Sequence, residues 1–402
     1  MNRSRISARV RRIKPSPSTA AADRASALKR EGKSIVSLVV GEPDFDTPAH
    51  IRAAAARAME KGETRYTVLA GTLELRQAIV AKLKRENNLL YDPAEIVVTN
   101  GAKSAIYSAL EATLEAGDEV IIPAPYWVSY PDMVLACEGI PKLVACPESQ
   151  GFKISPAQLE AAISEKTRWL LINSPSNPTG ASYSAAEYRG IADVLARHPH
   201  VLVMTDDIYE HIRFDGERTP HLLNAAPELR ERVLAVNGVS KTYAMTGWRI
   251  GWIAGPADLI GALNTLLSQS SGNACSISQA AAVAALTGEQ SFVGETVATY
   301  RARRDRTLAR INAIPGLSCR PPDGAFYLYV NCAGLIGRTT PAGTRLDNDG
   351  DVVMYLLEAA GVALVQGAAY GLSPFFRASI ATSQTALDEG TDRIARAVAE
   401  LR

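Results

Sequence analysis

The stretch that decides the fold is VLAVNGVSKTYAMTGWRIGW, residues 233–252. Its first six residues are apolar except for one asparagine, which is typical of a strand buried inside a sheet. Lys241 follows this run, Arg249 follows eight residues later, and glycines flank the arginine in GWRIG. Two cations on a tightly turning backbone could bind one anionic, carbonyl-bearing ligand, the lysine covalently and the arginine by charge. The alternative is an exposed loop with two solvated charges.

Four further apolar runs precede this one, and helical stretches separate them. The runs are IVVTN (96–100), EVIIPAP (119–125), WLLINSP (169–175) and VLVMTDD (201–207). They lack a polar alternation, which is expected of strands that are covered on both faces of a mostly parallel sheet. Helices are predicted at 104–116 and 185–198. This β–α alternation predicts a doubly wound α/β domain.

The pattern changes near residue 290, which predicts a domain boundary. A long charged helix is predicted at 291–314, followed by the strand-like GAFYLYVN, another helix and FFRASIATS. We therefore predict a large domain over residues 49–290 and a smaller α+β domain over 291–402. The N-terminal arm and the turn-rich GEPDFDTP, together residues 1–48, are expected to complete the small domain.

The composition restricts the classes of partner. The 402 residues carry 43 Lys plus Arg against 42 Asp plus Glu, so the net charge of +1 offers no field for nucleic acid. No apolar run approaches the roughly 20 residues of a membrane span. The five cysteines are scattered without a CxxC pair, which predicts reduced thiols, a cytoplasmic protein and no metal site. The basic N-terminus lacks the apolar core of a secretion signal and is expected to pack on the body, although organelle import stays an alternative.

Polar residues follow each predicted strand at its carboxyl end. In open α/β sheets, ligands bind beyond these ends. The residues are Asn100 and Gly101, Tyr126 and Trp127, Asn177, Asp206 and Tyr209, and Lys241. Five strand ends that carry such residues predict one shared site at this edge of the sheet.

Eight motifs occur in one order along the chain, from about residue 14 to the last helix. They are GEPDFDTP, TRYT, TNGAKSA, PYWVSYP, NSPSNPTG, TDDIYE, SKTYAMTGWRIG and FFRASIATS. As a set they resemble the class I/II aminotransferases, the fold-type-I pyridoxal-phosphate enzymes, and within them the bacterial aspartate and prephenate aminotransferase subgroup. The resemblance implies a pyridoxal 5'-phosphate cofactor and ping-pong transfer of an amino group between an L-amino acid and a 2-oxo acid. Taken singly, each motif also suits a turn, a packing residue or a solvated charge.

The resemblance implies three catalytic residues. Lys241 bonds to the cofactor aldehyde, for which its amine must be neutral, and it then moves a proton between substrate and cofactor. Asp206 keeps the pyridine nitrogen protonated, so that the ring withdraws electrons. Asp207 is a rival for this role, but the family pattern Asp-x-x-Tyr favours Asp206, since Tyr209 then follows in register. Tyr209 and Asn177 are expected to bind the oxygen on the ring.

The cofactor phosphate and ring have further ligands by the same resemblance. The phosphate is expected to bind to an arginine, a lysine and two backbone positions at the start of a helix. A tyrosine from the second subunit of a homodimer is expected to contact it as well. These are Arg249, Lys103, Gly101, Ala102 and Tyr66. Trp127 is expected to stack on the ring. Gly238 departs from the pattern, because many relatives carry a phosphate-binding serine there.

The substrate-binding positions implied by the resemblance are Gly41, Trp127, Asn177, Arg377 and Lys14. Arg377 is expected to pair with the α-carboxylate, with a backbone contact from Gly41. Lys103 and Lys14 are candidates to bind a distal carboxylate, and Lys14 is the feature linked to prephenate or arogenate. We therefore expect aspartate or glutamate as donor and 2-oxoglutarate or oxaloacetate as acceptor.

Other activities share this scaffold. An aromatic or broad-specificity aminotransferase is the first alternative, and a C–S lyase is the second. A pyridoxal-phosphate-sensing transcription regulator is excluded, because only about 40 residues precede GEPDFDTP and the charge is near neutral.

Overall fold

The structure is a computed structural model that describes residues 5–402. The strands are β1 Val36–Ser37, β2 Ile96–Thr99, β3 Glu119–Ala124, β4 Ile140–Ala145, β5 Thr167–Asn173, β6 Leu202–Asp206, β7 Val233–Gly238, β8 Gly251–Ala254, β9 Tyr327–Asn331, β10 Val362–Ala363, β11 Val365–Gln366 and β12 Phe375–Ser379. The α-helices are α1 Ala8–Arg12, α2 Pro17–Arg30, α3 Ala49–Glu60, α4 Leu73–Asn87, α5 Ala102–Thr113, α6 Tyr130–Ala136, α7 Pro156–Ala162, α8 Ala185–Leu195, α9 Leu222–Ala225, α10 Ala257–Ser268, α11 Ser276–Thr287, α12 Ser291–Asn312, α13 Asp349–Ala360 and α14 Gln384–Ala399.

The largest sheet has seven strands in the order β2-β8-β7-β6-β5-β3-β4. The neighbouring pairs β4-β3, β3-β5, β5-β6 and β6-β7 are parallel. Strand β8 runs antiparallel to both of its neighbours, β7 and β2. The five predicted strands are confirmed as β2, β3, β5, β6 and β7. The strands β4 and β8 were not predicted.

This sheet is covered on both faces, as the apolar runs indicated. In β5, Leu170 packs in one buried cluster and its neighbour Leu171 packs in a second. Successive strand residues point to opposite faces, so these clusters lie on the two sides of the sheet. The strand needs apolar residues at both positions, which explains why its sequence does not alternate. The predicted α/β class is confirmed.

A three-stranded antiparallel sheet, β11-β12-β9, lies in the C-terminal part with its own buried cluster. The N-terminal segment joins these elements: β1 pairs with β10 in parallel, and the N–H of Ser379 donates to the carbonyl of Leu38 at 2.8 Å. The boundaries at 1–48, 49–290 and 291–402 stay a prediction.

The short helix α1 lies against α6, as the arm was predicted to pack on the body. Ion pairs from Arg9 to Glu111, at 3.7 Å, and from Arg12 to Glu138, at 3.6 Å, accompany this contact. Between residues 5 and 402, no helix is both long and apolar enough to cross a lipid bilayer.

Candidate active site

A cavity of about 590 Å³ opens at the carboxyl edge of the seven-stranded sheet. All but three of the predicted site residues line it: Gly41, Ala102, Lys103, Trp127, Asn177, Asp206, Tyr209, Lys241, Arg249 and Arg377. The exceptions are Gly101, Tyr66 and Lys14. The fold thus brings residues from opposite ends of the chain to one place.

Lys241 lies three residues beyond β7 and points its amine at the N-terminal segment. Its Nζ donates a hydrogen bond to the carbonyl oxygen of Gly41 at 2.7 Å. Burial lowers the pKa of Lys241 to about 8; Arg249 and Arg377 also lower it, while Glu42 and Asp206 oppose them. Because a neutral amine is the nucleophilic form, this environment prepares the lysine to attack a carbonyl carbon.

Asp206 ends β6 and places a buried carboxylate in the cavity. Its Oδ2 accepts a hydrogen bond from the Tyr130 hydroxyl at 2.6 Å, and its Oδ1 accepts the N–H of Ile208 at 3.3 Å. Burial raises the pKa of Asp206 to about 6, and the Tyr130 hydrogen bond limits this rise. Asp207, the predicted rival, instead contacts the Thr205 hydroxyl at 2.8 Å. The register therefore puts Asp206 in the cavity.

The start of α5 forms a cationic end of the cavity. No side chain caps this helix, whose N-cap is Gly101 with a φ of +89°. The guanidinium of Arg249 lies over this turn and donates to the carbonyls of Thr246, at 2.8 Å, and Asn100, at 3.2 Å. A Cβ on Gly101 would collide with that guanidinium. Backbone N–H groups and a fork of charged donors thus face one small volume, which suits a phosphate.

Gly238 stands where a serine was expected, and the strand pairing explains its size. It pairs with Gly251 across β7 and β8, where a Cβ would lie 2.8 Å from the carbonyl oxygen of Ile250. No side chain fits without moving β8. Ser240 lines the cavity instead and is a hydroxyl that sequence reasoning missed.

Arg377 projects from β12 and is 2% exposed. Its Nη1 donates to Oδ1 of Asn177 at 3.0 Å, and its Nη2 donates to the carbonyl of Val39 at 2.7 Å. The guanidinium lies 4.4 Å from the ring centroid of Tyr327 and 5.3 Å from that of Tyr370. Its Nε is buried without a hydrogen-bond partner among the described residues. Such a held cation with an unused N–H can receive a carboxylate.

Two aromatic residues near this end were not predicted as site residues. The hydroxyl of Tyr327 lies 2.8 Å from that of Tyr209, and Tyr327 also lines the cavity. Tyr130 binds Asp206, as described above. Both belong to quoted motifs, GAFYLYVN and PYWVSYP, but only Trp127 of the second was assigned. The sequence signal for both residues was a tyrosine that lies within a quoted motif and had no role assigned to it.

Lys103 and Trp127 stand together on the rim. The Nζ of Lys103 lies 4.9 Å from the Trp127 ring centroid. Burial and Arg249 both lower the pKa of Lys103. The lysine is thus close enough to serve either the phosphate end or the open side of the cavity.

The three remaining predicted residues lie outside the cavity lining. Gly101 adjoins Arg249, as described. Tyr66 is 97% exposed. Lys14 is exposed, and its backbone N–H donates to Oδ1 of Asp132 at 3.0 Å. The roles of Tyr66 and Lys14 stay predictions.

A family model described as "Aminotransferase class I and II" matches residues 33–394. The chain belongs to this family. The predicted family and the predicted aminotransferase activity are thereby confirmed. Aminotransferases of this family depend on pyridoxal phosphate, act on amino acids and 2-oxo acids, and are usually dimeric.

Similar proteins include an aspartate aminotransferase of Rhizobium meliloti (strain 1021), which is 54% identical over 93% of this chain and 91% of that protein. An aspartate/prephenate aminotransferase of Cereibacter sphaeroides is 49% identical, with 97% of each chain covered. The crystal structure of a Rhizobium meliloti aspartate aminotransferase superposes with a TM-score of 0.97 at 52% identity, covering 100% of both chains. These matches confirm the predicted fold-type-I architecture.

The residues present in this aminotransferase fit the family's cofactor. One end of the cavity offers cationic and N–H donors for a phosphate, and the absence of a side chain at Gly101 lets the Arg249 guanidinium lie against the start of α5. Asp206 offers a buried carboxylate for a ring nitrogen, and Lys241 offers an amine whose pKa is lowered to about 8. The chemistry of this donor set matches an anionic pyridine aldehyde.

Proposed function

We propose that this aminotransferase takes the amino group of a dicarboxylic amino acid, aspartate or glutamate, and gives it to 2-oxoglutarate or oxaloacetate. The observation that carries the proposal is the cavity in which Lys241 is flanked by Arg249 and Arg377, both of which lower its pKa. One cation serves a phosphate, the other serves a carboxylate, and the amine between them reacts.

The cofactor would be held by residues of this cavity. Arg249 and the α5 start would bind the phosphate, with Lys103 beside them, and Asp206 would face the ring nitrogen. Trp127 would stack on the ring, and Asn177 and Tyr209 would bind its oxygen. When bound, pyridoxal phosphate supplies an aldehyde that takes up the amino group and a ring that withdraws electrons from the substrate α-carbon.

The chain's own residues then bind the substrate and move its proton. Arg377 binds the α-carboxylate, and Asn177 holds the arginine in place through the 3.0 Å hydrogen bond. Lys241, once its amine is free, accepts the proton from the α-carbon and returns it to the cofactor side as general base and acid. The lowered pKa of the amine suits both directions near neutral pH.

The choice of a dicarboxylic substrate is supported by similarity and by charge. Two similar proteins are named for aspartate, or for aspartate and prephenate. A Thermus thermophilus aspartate aminotransferase, solved with maleate, superposes with a TM-score of 0.91 at 38% identity, covering 98% of this chain and 100% of that chain. In this chain, Lys103 lines the cavity and its side chain is exposed, so we assign it the distal carboxylate.

We further propose a homodimer in the cytoplasm, with Tyr66 reaching the phosphate in the partner's site. The Tyr66 side chain is aromatic and 97% exposed in the single chain, which supports a contact with a second subunit at this position. The five cysteines are all unpaired, which supports a reducing compartment.

The test begins with a panel of amino donors against 2-oxoglutarate and oxaloacetate. L-Aspartate with 2-oxoglutarate should yield glutamate, and the purified protein should be yellow. Borohydride should fix the cofactor to Lys241, which peptide mapping would locate. Pyruvate and ammonia in place of glutamate would indicate a lyase, and a label on another lysine would refute the assignment.

Prephenate use is tested separately through the two lysines. Lys14→Ala is expected to reduce kcat/KM for prephenate more than for aspartate, because the resemblance links Lys14 to that larger acceptor. Lys103→Ala should reduce both, since both carry a distal carboxylate. Equal losses for Lys14→Ala with the two substrates would remove Lys14 from the specificity argument.

A further inference from the structure

A buried tyrosine contacts the cavity carboxylate from behind. Tyr130 is 1% exposed and begins α6, and its hydroxyl donates to Oδ2 of Asp206 at 2.6 Å. The Trp127 ring packs against it edge-on, with centroids 5.3 Å apart and an angle of 89°. The hydroxyl is therefore held in one place by packing that also forms the cavity wall.

Asp206 has few other groups that stabilise its charge. The Ile208 N–H lies at a longer distance, 3.3 Å, from the other oxygen. The ionisable groups that act on Asp206 or its tyrosine partner are Asp207 and Tyr209 on the loop after β6 and Lys241 after β7. Asp207 disfavours the ionised carboxylate, as burial does, and Lys241 is the cation that favours it. A short hydrogen bond from a neutral donor therefore carries much of the stabilisation.

The tyrosine can act only as a donor here. Burial and the Asp206 charge raise the pKa of Tyr130 well above its ordinary value, so its proton stays on the phenol. A phenol that keeps its proton beside a carboxylate favours the ionised carboxylate over the neutral acid.

We propose that Tyr130 is a positioning residue which keeps Asp206 ionised and turned toward the ring nitrogen of the cofactor. This inference rests on the proposed function, because Asp206 needs its charge only to hold a protonated pyridine. Tyr130 does not contact the cavity's reacting groups itself; it acts through Asp206.

A plain packing role is the competing explanation, since the Tyr130 ring also fills a buried cluster with Val134 and Ile122. Tyr130→Phe keeps the ring and removes only the hydroxyl. Tyr91→Phe is the matched control: Tyr91 is also buried, at 5% exposure, and its hydroxyl has no hydrogen-bond partner among the described residues. Thermal unfolding would first show that both variants fold.

The experiment measures dissociation constants of the full-length apoprotein for two probes, pyridoxal phosphate and its 1-deaza analogue, which has C–H in place of the ring nitrogen. Tyr130→Phe should weaken pyridoxal phosphate binding by about tenfold or more, the usual effect of losing a hydrogen bond to a charged group. Binding of the deaza analogue should stay unchanged or tighten, because a neutral Asp206 suits a C–H. Tyr91→Phe should change neither.

The outcomes separate the two proposals. Equal weakening of both probes by Tyr130→Phe would show a packing role only, and no change in either would also overturn the inference. If the wild-type protein fails to bind pyridoxal phosphate at all, the proposed function itself fails. As a second readout, Tyr130→Phe should lower kcat more than it raises KM for aspartate, since Arg377 is untouched.

Discussion

At the scale of single residues, Lys241 owes its chemistry to its surroundings. Its amine is buried, faces two arginines, and rests on the Gly41 carbonyl at 2.7 Å. An ordinary lysine has a pKa of about 10.4 and is almost wholly protonated at neutral pH. The same side chain in this cavity has a pKa lowered to about 8, chiefly by burial, so its neutral fraction at neutral pH is larger than that of an ordinary lysine.

The lowered pKa of Lys241 can be measured in the apoprotein. Competitive acetylation by a trace reagent should label Lys241 with a midpoint near pH 8, because only the neutral amine reacts and burial lowers its pKa to about 8. A lysine peptide in the same tube should titrate near 10.4. Glu42→Gln should lower the midpoint further, since the Glu42 charge raises the pKa of Lys241. A wild-type midpoint near that of the peptide would contradict the assignment.

Arg377 allows a second test at this scale. Arg377→Lys keeps the charge but loses the fork that contacts Asn177 and Val39. We expect KM to rise about tenfold to hundredfold for every amino donor, because all of them share the α-carboxylate. Arg345→Lys, at an exposed position on the surface, is the control and should change nothing. A loss confined to aspartate would mean that Arg377 reads the distal group.

At the scale of elements, burial decides which strands were predictable. The runs of β5 and β6 are apolar at successive positions because both faces are covered, so they stood out in the sequence. Strand β4 is one of the two edge strands of the sheet, with Ile140 and Leu143 each 48% exposed, and its IPKLVA lacks the buried pattern. Strand β8 has four residues and follows directly on the loop that carries Arg249. Neither β4 nor β8 therefore shows the apolar run that predicted the other strands.

A buried ion pair joins α4 to the loop that follows β6. Lys82, 1% exposed, contacts the carboxylate of Glu210, which also accepts hydrogen bonds from Asn87 and Asn237 at 2.5 Å each. Burial alone would raise the pKa of Glu210, but Lys82 and His211 hold it at about 2. The pair thus fixes the backbone next to Tyr209.

Removing the lysine should destabilise the protein. Lys82→Met should cost about 3–5 kcal/mol of unfolding free energy at neutral pH, because the buried Glu210 carboxylate loses the cation in closest contact with it. Arg345→Met, in the exposed Arg345–Asp347 pair, should cost less than about 1 kcal/mol. Urea unfolding midpoints would measure both.

The pH dependence of this difference has a definite sign. The pKa of Glu210 in the folded protein, about 2, lies below its ordinary value of 4.5. Its stabilisation is therefore complete above about pH 4.5 and is lost as the pH falls towards 2. The gap between wild type and Lys82→Met should shrink over the same range. A gap that stays constant would contradict the ion-pair explanation.

At the scale of the whole molecule, the site is assembled from contacts that are long in sequence. Tyr130 and Asp206 are 76 residues apart, and Tyr209 and Tyr327 are 118 apart. The strand-end rule and the family motifs could predict that Lys241 and Asp206 share a site. They could not predict these pairings, because each depends on how separate elements pack.

Assembly beyond one chain gives the last prediction. If Tyr66 serves the partner's phosphate, mixing Lys241→Ala with Tyr66→Ala chains should restore activity at limiting cofactor. Hybrid dimers then contain one site with both residues intact, and equal mixing should return about a quarter of wild-type activity. Each variant alone is the control. No gain on mixing, with hybrids verified by mass spectrometry, would mean that Tyr66 acts in its own chain or not at all.

The glycines that pack β7 against β8 and the start of α5 restrict where this enzyme can be re-engineered. A methyl group at Gly251 would run into the backbone of Ala102, and one at Gly238 would run into β8. Substitutions at these two glycines should disrupt the packing and should not yield enzymes with new amino donors. Ser16 and Thr19 also line the cavity, and their side chains can be exchanged without moving a strand. Directed evolution of substrate range should therefore succeed at Ser16 and Thr19 and fail at Gly238 and Gly251.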